Sequence, residues 1–388
     1  MKYSNLMIGL MTTLLMALFT GCQKTEIEVN GAEEPEPPSF VSLEEVARLL
    51  ASVRLEAGHL EEVHCAAVSS AGNGYDEEYR MKDLFAAPGT GVGDDAFTKA
   101  DTYSHPLRDA LREALLSTKA GDGEASAWLD SLALSDVQIY WPSSADWDGK
   151  TLPVITYDPG EGALCNEGYA VQPDGSVKKV MVDEQMSLER PVWVVNRNSD
   201  AEYKSLEMRR REDPSWGTGG GDILVKASQP EEIKTLVLRS FKARRQYDSW
   251  FAGASEFFVK VASAQNFVAS TEAELLLYDP LITDFMVVVR RKQVGEEIPF
   301  NAVLVSEWDN RLSNYAFMMI EDDGGTRKTW KMDATVKYES KSYGIELELP
   351  LYSRDDIVWR GSLTRRYIEK NSGKVCSYGD VDLVMELI

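Results

Sequence analysis

Near residue 135 the hydrophobic period of this chain changes. Before it, apolar residues recur three and four positions apart. After it, they alternate with polar residues in short runs. The first pattern lays an apolar stripe along a helix, and the second puts alternate side chains on one face of a strand. Both patterns in one chain predict an α+β fold, with a small helical front followed by a β-rich region that ends in an antiparallel sandwich.

On the helical side, Ser42-Leu43-Glu44-Glu45 has the form of a capping box, in which serine and glutamate satisfy the free N–H groups of a first turn. Leu43, Val46, Ala47, Leu50, Val53 and Ala57 follow at helical spacing, with Gly58 as a stop. Further helices are expected over His59–Val68, Asp76–Phe85, His105–Thr118 and Ala125–Leu132.

From Asp136 onward, strand-like runs cover Val137–Trp141, Val154–Tyr157, Lys179–Val182, Val192–Val195 and Ile223–Lys226. The stretch Ser199–Asp222 holds Arg209-Arg210-Arg211 and the glycines of Gly217–Gly221, and reads as a boundary loop. From Thr235 to Ile388, short branched and aromatic runs are separated by turn chemistry such as Asp322-Asp323-Gly324-Gly325. The expected division is a helical domain at 42–133, a mixed β domain at 134–228 and a sandwich at 229–388.

Residues 1–21 read as a lipoprotein signal peptide, with Lys2 in front of a mostly apolar stretch from Leu6 to Phe19. Such a stretch is shorter than the roughly 20 residues needed to span a bilayer. Thr20-Gly21-Cys22 then places a cysteine behind small residues, where its thiol would be acylated. Residues 22–41 are expected to be a flexible acidic tether, since Gln23–Ser39 is rich in glutamate and proline and nearly devoid of apolar side chains.

The formal net charge of −22 becomes one unit more negative once Lys2 is removed. So acidic a chain is a poor partner for nucleic acid, whose binding depends on neutralising phosphates. It would be repelled by anionic lipid, which leaves the N-terminal lipid as its contact with the membrane. Cys65, Cys165 and Cys376 then remain, an odd number without a CxxC pair, so no disulfide framework is implied and buried free thiols are the simpler reading.

Few motifs carry chemistry. His59 and His64 are five apart and do not share a helix face as the ligands of H-E-x-x-H do; His105 is the third histidine. No G-x-S-x-G elbow marks a nucleophile. Gly217–Gly221 lacks a P-loop lysine, and the expected strand follows these glycines rather than preceding them.

Acidic loops are more suggestive. Asp322, Asp323, Asp355, Asp356, Glu307 and Asp309 flank strands, and gathered at one end of a sandwich they would supply the oxygens calcium takes. Calcium is the one cofactor this pattern admits. The same carboxylates could pair as the acid and base of a glycosidase. Trp147, Trp216, Trp250 and Trp308 each sit beside polar residues, an arrangement suited to stacking on sugar rings. The competing reading is that they cover the edges of β cores.

Residues 1–40 and the general layout resemble a Bacteroidota lipoprotein with a signal peptidase II lipobox, although Phe19 stands where leucine is usual. That resemblance implies lipidation of Cys22 and attachment to the outer membrane, at the cell surface or on the periplasmic face. Asp355-Asp356-Ile357 faintly resembles the acidic turn of C2-type sandwiches, without their spacing between acidic loops. The leading expectation is a non-catalytic binding or adhesion module, glycan-directed or calcium-dependent. The alternative is a hydrolase of polysaccharide or cell-envelope material that uses paired carboxylates.

Overall fold

The structure, a computed structural model, describes residues 27–29, 41–85, 106–118, 122–160, 162–172, 174–197, 203–214, 234–263, 280–308, 312–338 and 341–388. Cys22, His105, Trp216, Asp309 and the strand-like run Ile223–Lys226 lie outside the described residues. No helix among the described residues is long and apolar enough to cross a membrane.

The first unit is a six-stranded sheet covered on one face by helices. Its strands are β2 (Glu78–Arg80), β3 (Val137–Tyr140), β4 (Val154–Tyr157), β5 (Cys165–Val171), β6 (Val177–Asp183) and β7 (Val192–Arg197). Their order is β2-β3-β7-β4-β5-β6, antiparallel except for the parallel pair β4 and β7. The helices are α1 (Leu43–Ser52), α2 (Ala57–Gly72), α3 (Met81–Leu84), α4 (Pro106–Thr118) and α5 (Asp122–Ala133). The Ser42 hydroxyl accepts from Glu45 N at 3.4 Å and starts α1 as the sequence predicts.

Leu50, Val63, Met81, Leu111 and Leu132 share one core with Ile139, Trp141, Ile155, Trp193 and Val195. The expected boundary at 133/134 therefore runs through a single core. A helix stripe has to be buried against something, and here the sheet face buries it. The helix expected over Asp76–Phe85 is corrected as well. Glu78, Tyr79 and Arg80 pair with Tyr140, Ile139 and Gln138 on β3, and only one helical turn follows.

The second unit is the sandwich. One sheet has the order β10-β9-β12-β15, from Leu281–Val289, Ser255–Ser263, Asn314–Glu321 and Asp356–Thr364. The other has the order β11-β8-β17-β16, from Ile298–Trp308, Lys234–Ala243, Val381–Leu387 and Lys374–Tyr378. Ring contacts across the gap, Phe241 with Phe257 at 5.3 Å and Phe317 with Tyr378 at 5.5 Å, join the two sheets. A hairpin of β13 (Arg327–Tyr338) and β14 (Lys341–Tyr352) lies across β9 and β12 as a third layer. This explains why every residue from Tyr315 to Glu321 is buried, whereas β14 alternates. A strand covered on both faces loses its period-two pattern.

Three further helices connect these strands: α6 (Glu184–Glu189), α7 (Leu206–Glu212) and α8 (Arg365–Asn371). Helix α7 falls in the stretch expected to be a loop, started by the Ser205 hydroxyl, which accepts from Met208 N at 3.1 Å. Ile27–Val29, within the expected tether, forms strand β1 against Lys328–Trp330 of β13.

The connection between β8 and β9 joins the two units. Its Trp250 and Phe251 pack on the uncovered face of the six-stranded sheet, against Tyr140, Val154, Val192 and Val194. Asn196 of β7 donates through Nδ2 to the carbonyls of Phe251 (3.0 Å) and Ala252 (2.6 Å). Asp76 Oδ2 accepts from Ala254 N at 2.9 Å.

Candidate functional site

The structure separates the expected site residues into four places. Trp250 and Trp308 are each only 5% exposed. Trp250 fills the joint, and Trp308 stacks on Tyr315 at 4.0 Å inside the sandwich. Both are corrected from glycan-binding to core residues, because a buried face is closed to a sugar ring.

Trp147 is different, being half-buried at the rim of a cleft of about 200 Å³. Trp141, Pro142, Leu188 and Pro191 supply its apolar wall, and Asp146, Asp148 and Arg190 its polar edge. The Trp147 ring is held firmly. Its Nε1 donates to Thr151 O at 3.0 Å, and its ring packs on Trp141 at 5.5 Å and on His64 at 5.1 Å. Trp141 in turn meets Trp193 at 5.7 Å, so the cleft caps a ladder of three indoles. Asp148 accepts from Lys150 N, Thr151 N and Thr151 Oγ1, and these bonds hold its carboxyl below the ordinary range.

Among the described residues, the expected calcium ligands do not assemble as a set. Strand β11 runs antiparallel to β8, with Trp308 opposite Lys234 and Ile298 opposite Phe241, so Glu307 sits at the end of the sandwich away from Glu321. Asp356 is exposed on β15, opposite Glu321. Asp322 and Asp355 do meet, because the loops beside them clasp through Arg354 N to Gly324 O (3.1 Å) and Arg354 Nε to Asp323 O (3.0 Å). One oxygen of each is engaged locally, Asp322 Oδ1 accepting from Gly324 N and Asp355 Oδ2 from Tyr352 N, while Asp355 Oδ1 is buried without a hydrogen-bond partner. Burial raises the Asp355 carboxyl to about 6, with the bond from Tyr352 N opposing that shift and the Asp322 charge adding to it.

Another carboxylate cluster lies on the opposite face of the same strand end. Asp248, in the β8–β9 connection, Glu256 of β9 and Glu321 of β12 bring carboxylate oxygens within 4.8 Å of one another. Glu321 is 0% exposed, and neither of its oxygens has a hydrogen-bond partner. Burial first, and then the adjoining Asp248 carboxyl, push Glu321 far above the ordinary range; burial also raises Asp248. Arg291, the cation beside Asp248, donates to its main-chain carbonyl at 2.6 Å rather than to its carboxylate.

The sequence carried a signal for Glu321. It continues the inward row Tyr315, Phe317, Met319, so it places a charge on the buried face of an apolar strand. Asp248 and Glu256 had no comparable mark, because folding alone brings the connection over the end of β12.

Comparison with protein-family models, with curated proteins and with solved structures finds no match. Among the described cysteines, Cys65, Cys165 and Cys376 are all free, and none is buried as expected: Cys65 and Cys376 are half-buried and Cys165 is exposed.

Proposed function

We propose that this chain is a non-catalytic, carbohydrate-binding protein of the cell envelope, lipid-anchored through Cys22 to the outer membrane, with the Trp147 cleft as its sugar site. The observation that carries this reading is the half-buried Trp147 ring, fixed at the mouth of a cleft of about 200 Å³. An immobilised indole loses little freedom when a sugar lies on it, and Asp146 and Arg190 add groups for hydroxyl recognition. The lipid anchor rests on the order of charge, apolar stretch, small residues and cysteine in residues 1–22.

The paired-carboxylate hydrolase is less well supported. Glu321 has the raised pKa of a general acid, but it is wholly buried, and none of the Trp147-cleft lining is Asp248, Glu256 or Glu321. A glycosidase acid has to touch the glycosidic oxygen.

A glycan array probed with the full chain tests the reading. Binding to a restricted set of glycans is expected, lost by at least tenfold in Trp147→Ala and retained in Trp308→Phe. Array binding that survives Trp147→Ala would move the site elsewhere.

A further inference from the structure

We infer that Asp248, Glu256 and Glu321 bind a calcium ion that pins the β8–β9 connection to the sandwich. The inference is independent of the sugar cleft; Glu321 heads the acidic run Glu321-Asp322-Asp323 that the sequence already marks for calcium, whereas Asp248 and Glu256 carry no such mark. Glu321 carries it. Its carboxyl is 0% exposed, points into the cluster and has no hydrogen-bond partner on either oxygen. A buried carboxyl without a donor is strongly disfavoured unless a proton or a cation neutralises it. A proton shared with Asp248 would satisfy one contact. A cation satisfies oxygens of all three side chains at once.

The geometry fits calcium. The three ligand atoms lie within 4.8 Å of one another, so one ion with bonds of about 2.3–2.6 Å can reach them all. Asp248 and Glu256 are only half-buried, so water can complete a shell of about six to eight oxygens from their side. Magnesium draws its ligands into a strict octahedron at about 2.0–2.1 Å, whereas the longer and more flexible bonds of calcium suit oxygens spread over as much as 4.8 Å. Each ligand comes from a different place in the fold: the connection, the start of β9 and the end of β12. Asp248 precedes Trp250 by two residues, so the ion would fix the base of the segment that plugs into the six-stranded sheet.

The test is calcium titration of the full chain, purified in detergent and freed of metal with a chelator, read by calorimetry and by thermal unfolding. A single saturable heat is expected, with a Tm rise of several degrees at about 100-fold excess over Kd. Glu321→Gln keeps the side-chain shape while removing the buried charge, so it should fold and lose both responses. Asp248→Asn should lose them too, and provides the same reading if the first variant fails to fold. Asp356→Asn, exposed opposite Glu321, should keep them. Absence of heat and of any Tm change in the unaltered chain overturns the site. So does an undiminished response in Glu321→Gln or Asp248→Asn. An equal Tm rise with magnesium overturns the assignment to calcium.

Discussion

Asp76 shows how a single buried carboxyl can make the joint sensitive to pH. Its Oδ2 accepts from Ala254 N, its Oδ1 has no hydrogen-bond partner, and Arg290 Nε stands 4.0 Å from Oδ1. Burial, helped by the neighbouring Glu77 charge, lifts its pKa from 3.8 to about 6. An acid whose pKa is raised by folding binds its proton more tightly in the native state. Stability is therefore greatest below the unfolded pKa, falls as pH rises from about 4 to 6, and levels off above. The shift corresponds to about 3 kcal/mol. Asp76→Asn should flatten that part of a urea-denaturation profile, and an unchanged slope would assign the pH dependence to other groups. At this scale the sequence was least informative. Four tryptophans looked alike in it, yet only the packing of Trp147 at a rim separates it from Trp250 and Trp308. The acidic run Glu321-Asp322-Asp323 was conspicuous, but nothing in it showed that Glu321 turns inward and leaves both carboxylate oxygens without a hydrogen-bond partner.

Among elements, and beside Arg290, which donates to the carbonyls of Ala71 and Tyr75, the β8–β9 connection bridges the two units. Asn196 holds two of its carbonyls, and Gly253 turns at φ +130°, where a Cβ would stand 2.8 Å from Asp76 Oδ2. Asn196→Ala should cost about 1–3 kcal/mol, since it leaves buried carbonyls unmet, and should expose residues 244–254 to limited proteolysis. Unchanged cleavage and stability would show that Trp250 and Phe251 dock without this clasp. Elements with one clean period were legible from sequence: β4 is Val154–Tyr157 as expected, and α4 and α5 occupy the expected helical segments. Elements set by their partners were not. Glu78–Arg80 becomes a strand because β3 offers an edge to it, and α7 forms where its Ser205 cap is anchored by Tyr75 OH and Asn73 O. Propensity is a weak guide when tertiary pairing opposes it.

For the whole molecule, the α+β class and the β-rich C-terminal half followed from the change of period, because each period permits only one kind of element. What the periods could not reveal is that the helices and the 137–197 strands form one unit, or that a hairpin adds a third layer to the sandwich. Both depend on which apolar face covers which. The proposed anchor belongs to this scale too. Cys22→Ala should release the protein from the membrane fraction and abolish palmitate labelling, and continued labelling would contradict acylation at that cysteine.

Saturation-transfer NMR shows whether the Trp147 cleft holds a sugar and leaves it intact. The full chain would be mixed with the oligosaccharide that the array selects. Saturation should pass to the ring protons of the sugar, vanish in Trp147→Ala, and leave the anomeric signals unchanged over a day. No transfer would contradict binding at the cleft, and new reducing-end anomeric signals would make the protein a hydrolase.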